Sequence, residues 1–123
     1  MQSLNISKLA AIASFALRIK TKSNISSIYS YESSRYYQFS ISSQGSIIGI
    51  FDYQRGNYLT GNPTGDGWTV FDYSDSQYID FRDKDDGYSV FDYSSNSYID
   101  IAIKQNSIEL YSYADGKYYT FGY

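Results

Sequence analysis

The stretch Val70-Phe71-Asp72-Tyr73-Ser74-Asp75-Ser76-Gln77-Tyr78-Ile79-Asp80-Phe81 decides the fold, because the chain repeats it. Twenty residues earlier Ile50-Phe51-Asp52-Tyr53 leads to Tyr58-Leu59, and twenty residues later Val90-Phe91-Asp92-Tyr93 leads to Tyr98-Ile99-Asp100-Ile101. The pattern loosens to Leu110-Tyr111-Ser112-Tyr113 with Tyr118-Tyr119-Thr120-Phe121 at the C-terminal end. At the other end it fades to Ile28-Tyr29-Ser30-Tyr31 with Tyr36-Tyr37-Gln38-Phe39. A period near twenty residues makes each copy one supersecondary unit, too small to bury a face unless neighbours stack on it.

Each half-unit is a short run of aromatic and β-branched residues with alternating polarity, which reads as a strand. Turn chemistry separates the runs. Arg55-Gly56, Asp75-Ser76, Ser95-Asn96 and Asp115-Gly116 lie inside units, and Gln44-Gly45, Asp66-Gly67, Asp86-Gly87 and Asn106-Ser107 lie between them. Gly, Asn and Asp recur at such places because hairpin turns need residues that tolerate positive φ. The expectation is a mainly β domain over residues 1–123: an antiparallel meander of about ten strands, in five hairpin repeats over 27–123. A three-residue loop at Ala114-Asp115-Gly116 would place Tyr111 and Tyr113 on one face with Tyr119 and Phe121. The same register would gather Phe71, Tyr73, Ile79 and Phe81, leaving Val70, Asp72, Tyr78 and Asp80 opposite; a two-residue turn would mix Asp80 with Phe71 and Tyr73 instead.

Residues 5–20 lack turn signals and contain Leu9, Ala10, Ala11, Ile12, Ala13, Phe15, Ala16 and Leu17, a helix-forming composition capped by Ser3 or Asn5. Only Ser7, Ala11, Ser14 and Arg18 make a narrow polar stripe, so this helix calls for burial on more than one side. A targeting segment with Ser14-Phe15-Ala16 as cleavage site is the other reading of the same residues. Ten strands at ~4.8 Å would make a sheet ~48 Å wide, against a helix ~10 Å across. Closure into a rolled or barrel-like sheet around the helix resolves the mismatch. A single-layer open sheet, a ring of five small blades or a homo-oligomer are the alternatives.

Composition narrows the function. The 123 residues include 16 tyrosines, no cysteine and no histidine. Disulfide scaffolds and thiolate metal sites are excluded, and the commonest general base and transition-metal ligand are missing. No apolar stretch reaches the roughly twenty residues of a membrane-spanning helix. Residues 1–35 carry Lys8, Arg18, Lys20, Lys22 and Arg35 against Glu32, while the remainder holds five basic and twelve acidic side chains. An acidic repeat region is a poor partner for nucleic-acid phosphates, and the basic opening suits pairing with the acidic sheet in cis.

Tyr36, Tyr58, Tyr78, Tyr98 and Tyr118 recur once per unit on the face expected opposite the main aromatic set. With Trp68 they are the candidate binding residues, able to stack on sugar rings or to meet a protein surface. Asp52, Asp72 and Asp92, joined by Asp80 and Asp100, read as solvated or edge-protecting carboxylates. Asp72 and Asp80 could form a glycosidase acid pair, yet the repetition singles out no active site. Asp83, Asp85 and Asp86 before Gly87 fail the spacing of an EF-hand loop. No catalytic residue, metal site or cofactor is therefore assigned. The irregular stretch Gly61-Asn62-Pro63-Thr64-Gly65-Asp66-Gly67, with the only proline, is expected to be a contact-making loop.

Asp115-Gly116-Lys117-Tyr118-Tyr119-Thr120-Phe121 resembles the second strand of choline-binding hairpin repeats, and Gly67-Trp68 resembles their Gly-Trp opening. That resemblance implies recognition of choline between aromatic side chains by cation-π contact. This chain has Tyr88 and Ile108 where later repeats would carry tryptophan, so no binding residue is transferred from that family. In topology the uniform hairpins are similar to the open-sided meander of spirochaete outer-surface proteins. The functional expectation is a non-enzymatic module presenting a tyrosine-rich β surface to glycan or protein. The alternatives are a self-assembling structural protein and a barrel holding an apolar ligand against Phe51, Phe71 and Phe91.

Overall fold

A computed structural model of the chain describes residues 6–123; the cap candidates Ser3 and Asn5 lie outside them. One helix, α1 (Ile6–Thr21), precedes β1 (Ser27–Ser30), β2 (Arg35–Gln44), β3 (Ile47–Asp52), β4 (Asn57–Thr64) and β5 (Gly67–Asp72). β6 (Gln77–Lys84), β7 (Gly87–Asp92), β8 (Ser97–Ile103), β9 (Ser107–Ser112) and β10 (Lys117–Gly122) follow. Each strand pairs antiparallel with its sequence neighbours, and β1 pairs with β10 through Tyr29↔Gly122 and Ser30↔Phe121, so the meander closes into a ten-stranded barrel. Closure gives every strand a partner on both sides, and the open-sided alternative falls with it; the seam is short, since β1 meets β2 only over Arg35–Gln38.

The interior is filled by α1. Leu9, Ala10, Ala11, Ile12, Ala13, Phe15, Ala16 and Leu17 are all buried, and so is Ser14 on the expected polar stripe. Two inward layers of strand residues surround the helix: Ile50/Leu59, Val70/Ile79, Val90/Ile99 and Leu110/Tyr119 form one, and Trp68/Phe81, Tyr88/Ile101 and Ile108/Phe121 the next. Full burial of one such aliphatic or aromatic side chain is worth roughly 1.5–3 kcal/mol, which gives the helix its hold. Lys22 ends α1 in the left-handed conformation, at φ 61°, and its N–H bonds to the Arg18 carbonyl.

The loops correct the expected register. Ser112↔Lys117 and Asp72↔Gln77 each flank a loop of four residues, not three, and the fourth sits in the left-handed region: Ser34, Gly56, Ser76, Asn96 and Gly116. Between units, Thr64↔Gly67 and Lys84↔Gly87 flank two-residue turns. Even loops send the residues on either side of each turn to matching faces. Val70, Asp72, Ile79 and Phe81 therefore point inward, while Phe71, Tyr73, Tyr78 and Asp80 point outward. Tyr119 and Phe121 are likewise inside, and Tyr111 and Tyr113 outside.

Two smaller expectations change for local reasons. The stretch around Pro63 is regular strand: β4 continues to Thr64, with Pro63 opposite Trp68. Gly67 and Gly87 are not turn residues. A Cβ on either would lie 1.8 or 1.9 Å from the carbonyl oxygen of Phe81 or Ile101, so close backbone approach demands glycine there. At Gly61 a Cβ would meet Phe15 Cζ at 2.6 Å; the missing side chain makes the space that Phe15 of α1 fills.

Candidate functional site

The outer wall at the end of the barrel nearest the within-unit turns carries an aromatic girdle. Each unit contributes three rings, from the residue before the Asp or Ser, the residue after it and the start of the next strand. In the third unit, Phe71 lies 4.8 Å from Tyr73 and 4.9 Å from Tyr78, both nearly edge-on. Tyr29/Tyr31/Tyr36, Phe51/Tyr53/Tyr58, Phe91/Tyr93/Tyr98 and Tyr111/Tyr113/Tyr118 repeat the geometry, with centroids 4.8–5.2 Å apart. These are favourable edge-to-face pairs. The units are stitched together by backbone, since the N–H groups of Tyr73, Tyr93 and Tyr113 donate to the carbonyls of Tyr58, Tyr78 and Tyr98.

Of the sequence-derived candidates, Tyr36, Tyr58, Tyr78, Tyr98 and Tyr118 all lie on this girdle, 52–65% exposed. They share their face with the Phe-Asp-Tyr aromatics and are not opposite them, because of the even loops. Trp68 is not among them: it packs edge-on against Phe15 of α1, centroids 6.1 Å apart, on the inner side of the wall. Sequence reasoning missed Tyr31, Tyr53, Tyr73, Tyr93 and Tyr113, each 48–61% exposed. The signal was available, since they close every copy of the repeated tripeptide. Phe51, Phe71 and Phe91 also face outward, and α1 occupies the space in which an apolar ligand would have met them.

Between successive girdle units run outward grooves. One, of about 410 Å³, is lined by Asp80, Arg82, Ser89, Phe91, Tyr93 and Tyr98. Tyr93 donates its hydroxyl to Asp80 Oδ2 at 3.2 Å, and Thr69 donates to Oδ1 at 3.4 Å. The charge of Asp80 and this hydrogen bond raise the Tyr93 pKa. One repeat on, Tyr113 donates to Asp100 Oδ2 at 2.8 Å in a groove of about 290 Å³, where Lys84 approaches Asp100 Oδ1 at 3.7 Å. The hydrogen bond to Asp100 and the charge of that carboxylate raise the Tyr113 pKa. At the equivalent positions the earlier units have Ser40 and Thr60, paired with Phe51 and Phe71.

The same end of the barrel holds a second constellation inside the wall. Asp52, Asp72 and Asp92, expected to be solvated, are buried, at 0%, 0% and 5% exposure. Each accepts the N–H two residues on, from Gln54, Ser74 and Ser94 at 3.0, 3.0 and 3.1 Å, so the carboxylates brace the four-residue loops. In the first unit Ser30 Oγ accepts the N–H three residues on, from Ser33. Arg55 bridges Asp52 at 2.7 Å and Asp72 at 3.0 Å. Lys8, in the first turn of α1, meets Asp75 at 2.5 Å, Asp92 at 3.1 Å and Asp72 at 3.4 Å. The expected pairing of the basic opening with the acidic repeats thus occurs, in the interior. Burial alone would lower the Lys8 pKa, but its hydrogen bond to Asp75 and the charges of Asp92, Asp72 and Asp75 hold it above the ordinary lysine value. A buried anionic ring around the N-terminal end of a helix also suits the positive end of its dipole.

These two constellations have different chemistry. The carboxylates of the inner one are taken up by cations, turn N–H groups and hydroxyls, and among the described residues its single open valence is a donor, the buried Arg55 Nη2. The outer one leaves ring faces, hydroxyls and two carboxylates open to solvent. Asp72 and Asp80 stand on opposite sides of the wall, so they form no acid pair. Among the described residues no group of three or more His, Cys, Asp or Glu side chains is placed to hold a metal ion, and no helix is long and apolar enough to cross a membrane. Comparison with protein-family models, curated proteins and solved structures finds no match, so the site is read from its own geometry.

Proposed function

We propose that this protein is a non-enzymatic binding module whose tyrosine girdle meets a glycan or protein partner. The observation that carries the reading is the continuity of the girdle: ten of its tyrosines are 48–65% exposed on a wall whose other side is a finished core. They do not complete the fold, because α1 and the inward layers already bury one another. Tyrosine offers large, rigid contact area with a polar tip at little entropic cost, and it is enriched at recognition surfaces for that reason. Asp80, Arg82, Lys84 and Asp100, outward on β6 and β8, give the wall beyond the girdle a charged character unlike the apolar band of a transmembrane barrel. Every strand of the barrel has a partner on both sides, so a self-associating form is expected to use the girdle more than strand edges.

The test is capture of partners on glycan arrays and protein pull-downs by the wild type and by the Tyr58→Ala/Tyr78→Ala/Tyr98→Ala variant. Signal should disappear in the variant while its circular dichroism stays that of the folded barrel. Full retention of signal by a folded variant would remove the girdle from consideration.

A further inference from the structure

We propose that the groove between the third and fourth units, lined by Asp80, Arg82, Ser89, Phe91, Tyr93 and Tyr98, is a subsite for an uncharged sugar ring. This rests on the reading of the girdle as a binding surface and assigns one place on it a ligand class.

The groove offers both halves of what a pyranose requires. A pyranose has an apolar face of C–H groups and a rim of hydroxyls that each donate and accept. Tyr98, 55% exposed and held edge-on to Phe91 at 4.8 Å, presents a fixed ring to such a face. The rim chemistry is complete: Asp80 accepts, Arg82 donates, Ser89 does both, and Tyr93, whose proton is held by Asp80, accepts. Asp80 takes one donor on each oxygen, from Tyr93 and Thr69, and a carboxylate has about four lone-pair sites, so acceptor capacity remains for two adjacent hydroxyls. Those two bonds also fix the orientation of the carboxylate before any ligand arrives.

Charge selects the ligand class. The lining carries one carboxylate and one guanidinium, so neither a cation nor an anion gains a net attraction there, and a neutral polyol loses nothing. The neighbouring groove around Asp100 repeats the aromatic trio and the tyrosine-carboxylate bond, but its lining sets Asp86, Asp100 and Glu109 against Lys84, with Lys104 beside it on Glu109, and stays net acidic. It lacks the charge balance and serves as an internal control. The earlier grooves, with Ser40 and Thr60 in place of the carboxylate, lack the oriented acceptor.

The experiment is titration of the full chain with cellotetraose, maltotetraose, mannotetraose and N,N′,N″,N‴-tetraacetylchitotetraose, read from the ring resonances of Tyr93 and Tyr98 by NMR. At least one tetrasaccharide should shift both rings. Asp80→Ala and Tyr98→Ala should each weaken that binding tenfold or more, while Asp100→Ala stays within twofold. The proposal is overturned if no tetrasaccharide moves either ring, or if a folded Asp80→Ala variant binds as well as the wild type. It is also overturned if phosphocholine or a lysine-rich peptide occupies the groove in preference to the sugars. If the triple tyrosine variant loses a partner that Asp80→Ala retains, the girdle keeps its function and only the sugar subsite fails.

Discussion

Asp72 and Asp80 belong to one hairpin, eight residues apart, and stand on opposite sides of the same wall. Asp72 is fully buried between Lys8 and Arg55; Asp80 is solvent-facing, under a tyrosine hydroxyl. The inner carboxylate is tied to structure by two cations and a turn amide, and losing a tie would strand charge in a medium that cannot solvate it. The outer one is oriented without being saturated, which is the condition for meeting a ligand. One wall thus keeps its cation-bound and its solvent-facing carboxylates on separate faces, and the contrast is measurable.

The sharpest way to break it is at Lys8. Lys8→Met leaves Asp72, Asp75 and Asp92 without their shared cation, and breaking a buried pair costs about 3–5 kcal/mol. Urea unfolding of the two proteins at neutral pH should show a difference of that size. The difference should also depend on pH in one direction. The folded-state pKa of Lys8 is raised, so its contribution is complete below the ordinary value of 10.5 and is lost as pH rises through the folded value. Burial and the charge of Asp83 push Tyr88 up to about 12, which destabilises both proteins alike above pH 10 and cancels in the comparison. A difference under 1 kcal/mol, or one that grows above pH 10.5, would show that the inner cluster is not what anchors α1.

Phe15→Ala is expected to come next. The ring sits in the space left by Gly61 and against Phe81, 5.6 Å between centroids, and a buried Phe→Ala change costs about 3–5 kcal/mol with no dependence on pH. Absence of any shift in the urea midpoint would mean that the helix does not fill the barrel in solution.

The smallest effect belongs to the outer wall. Tyr78→Ser removes one edge-to-face partner of Phe71, worth about 0.5–1.5 kcal/mol. A loss above 3 kcal/mol would make the girdle a stabilising layer and blur the division between the two faces.

Much of this was legible in the residues. The twenty-residue repeat, the alternation and the turn residues specify ten paired strands, and a helix apolar nearly all round requires enclosure, which together imply a barrel about α1. What was not legible was parity. The rule that aromatics gather inside and carboxylates outside favours an odd loop at Ala114-Asp115-Gly116, and it fails here because tyrosine is content outside while Asp52, Asp72 and Asp92 have loop amides to hold and cations to meet. One of those cations is Lys8, 64 residues from Asp72, the nearest of its partners in sequence, and no local pattern announces it. The glycines misled similarly: Gly67 and Gly87 look like turn residues, whereas backbone crowding is their reason.

The seam between β1 and β10 joins a strand that begins at Ser27 to one that ends at Gly122. Every hairpin of the meander forms from neighbours in sequence, but this last pairing waits for β10. α1 leaves the ribosome before every strand and finds no enclosure until β10 has followed. Sheet and helix therefore come together late, in a step of large sequence separation, which is the slow kind. Until then the apolar helix and two bare strand edges coexist, and the vulnerable period for this protein is its synthesis.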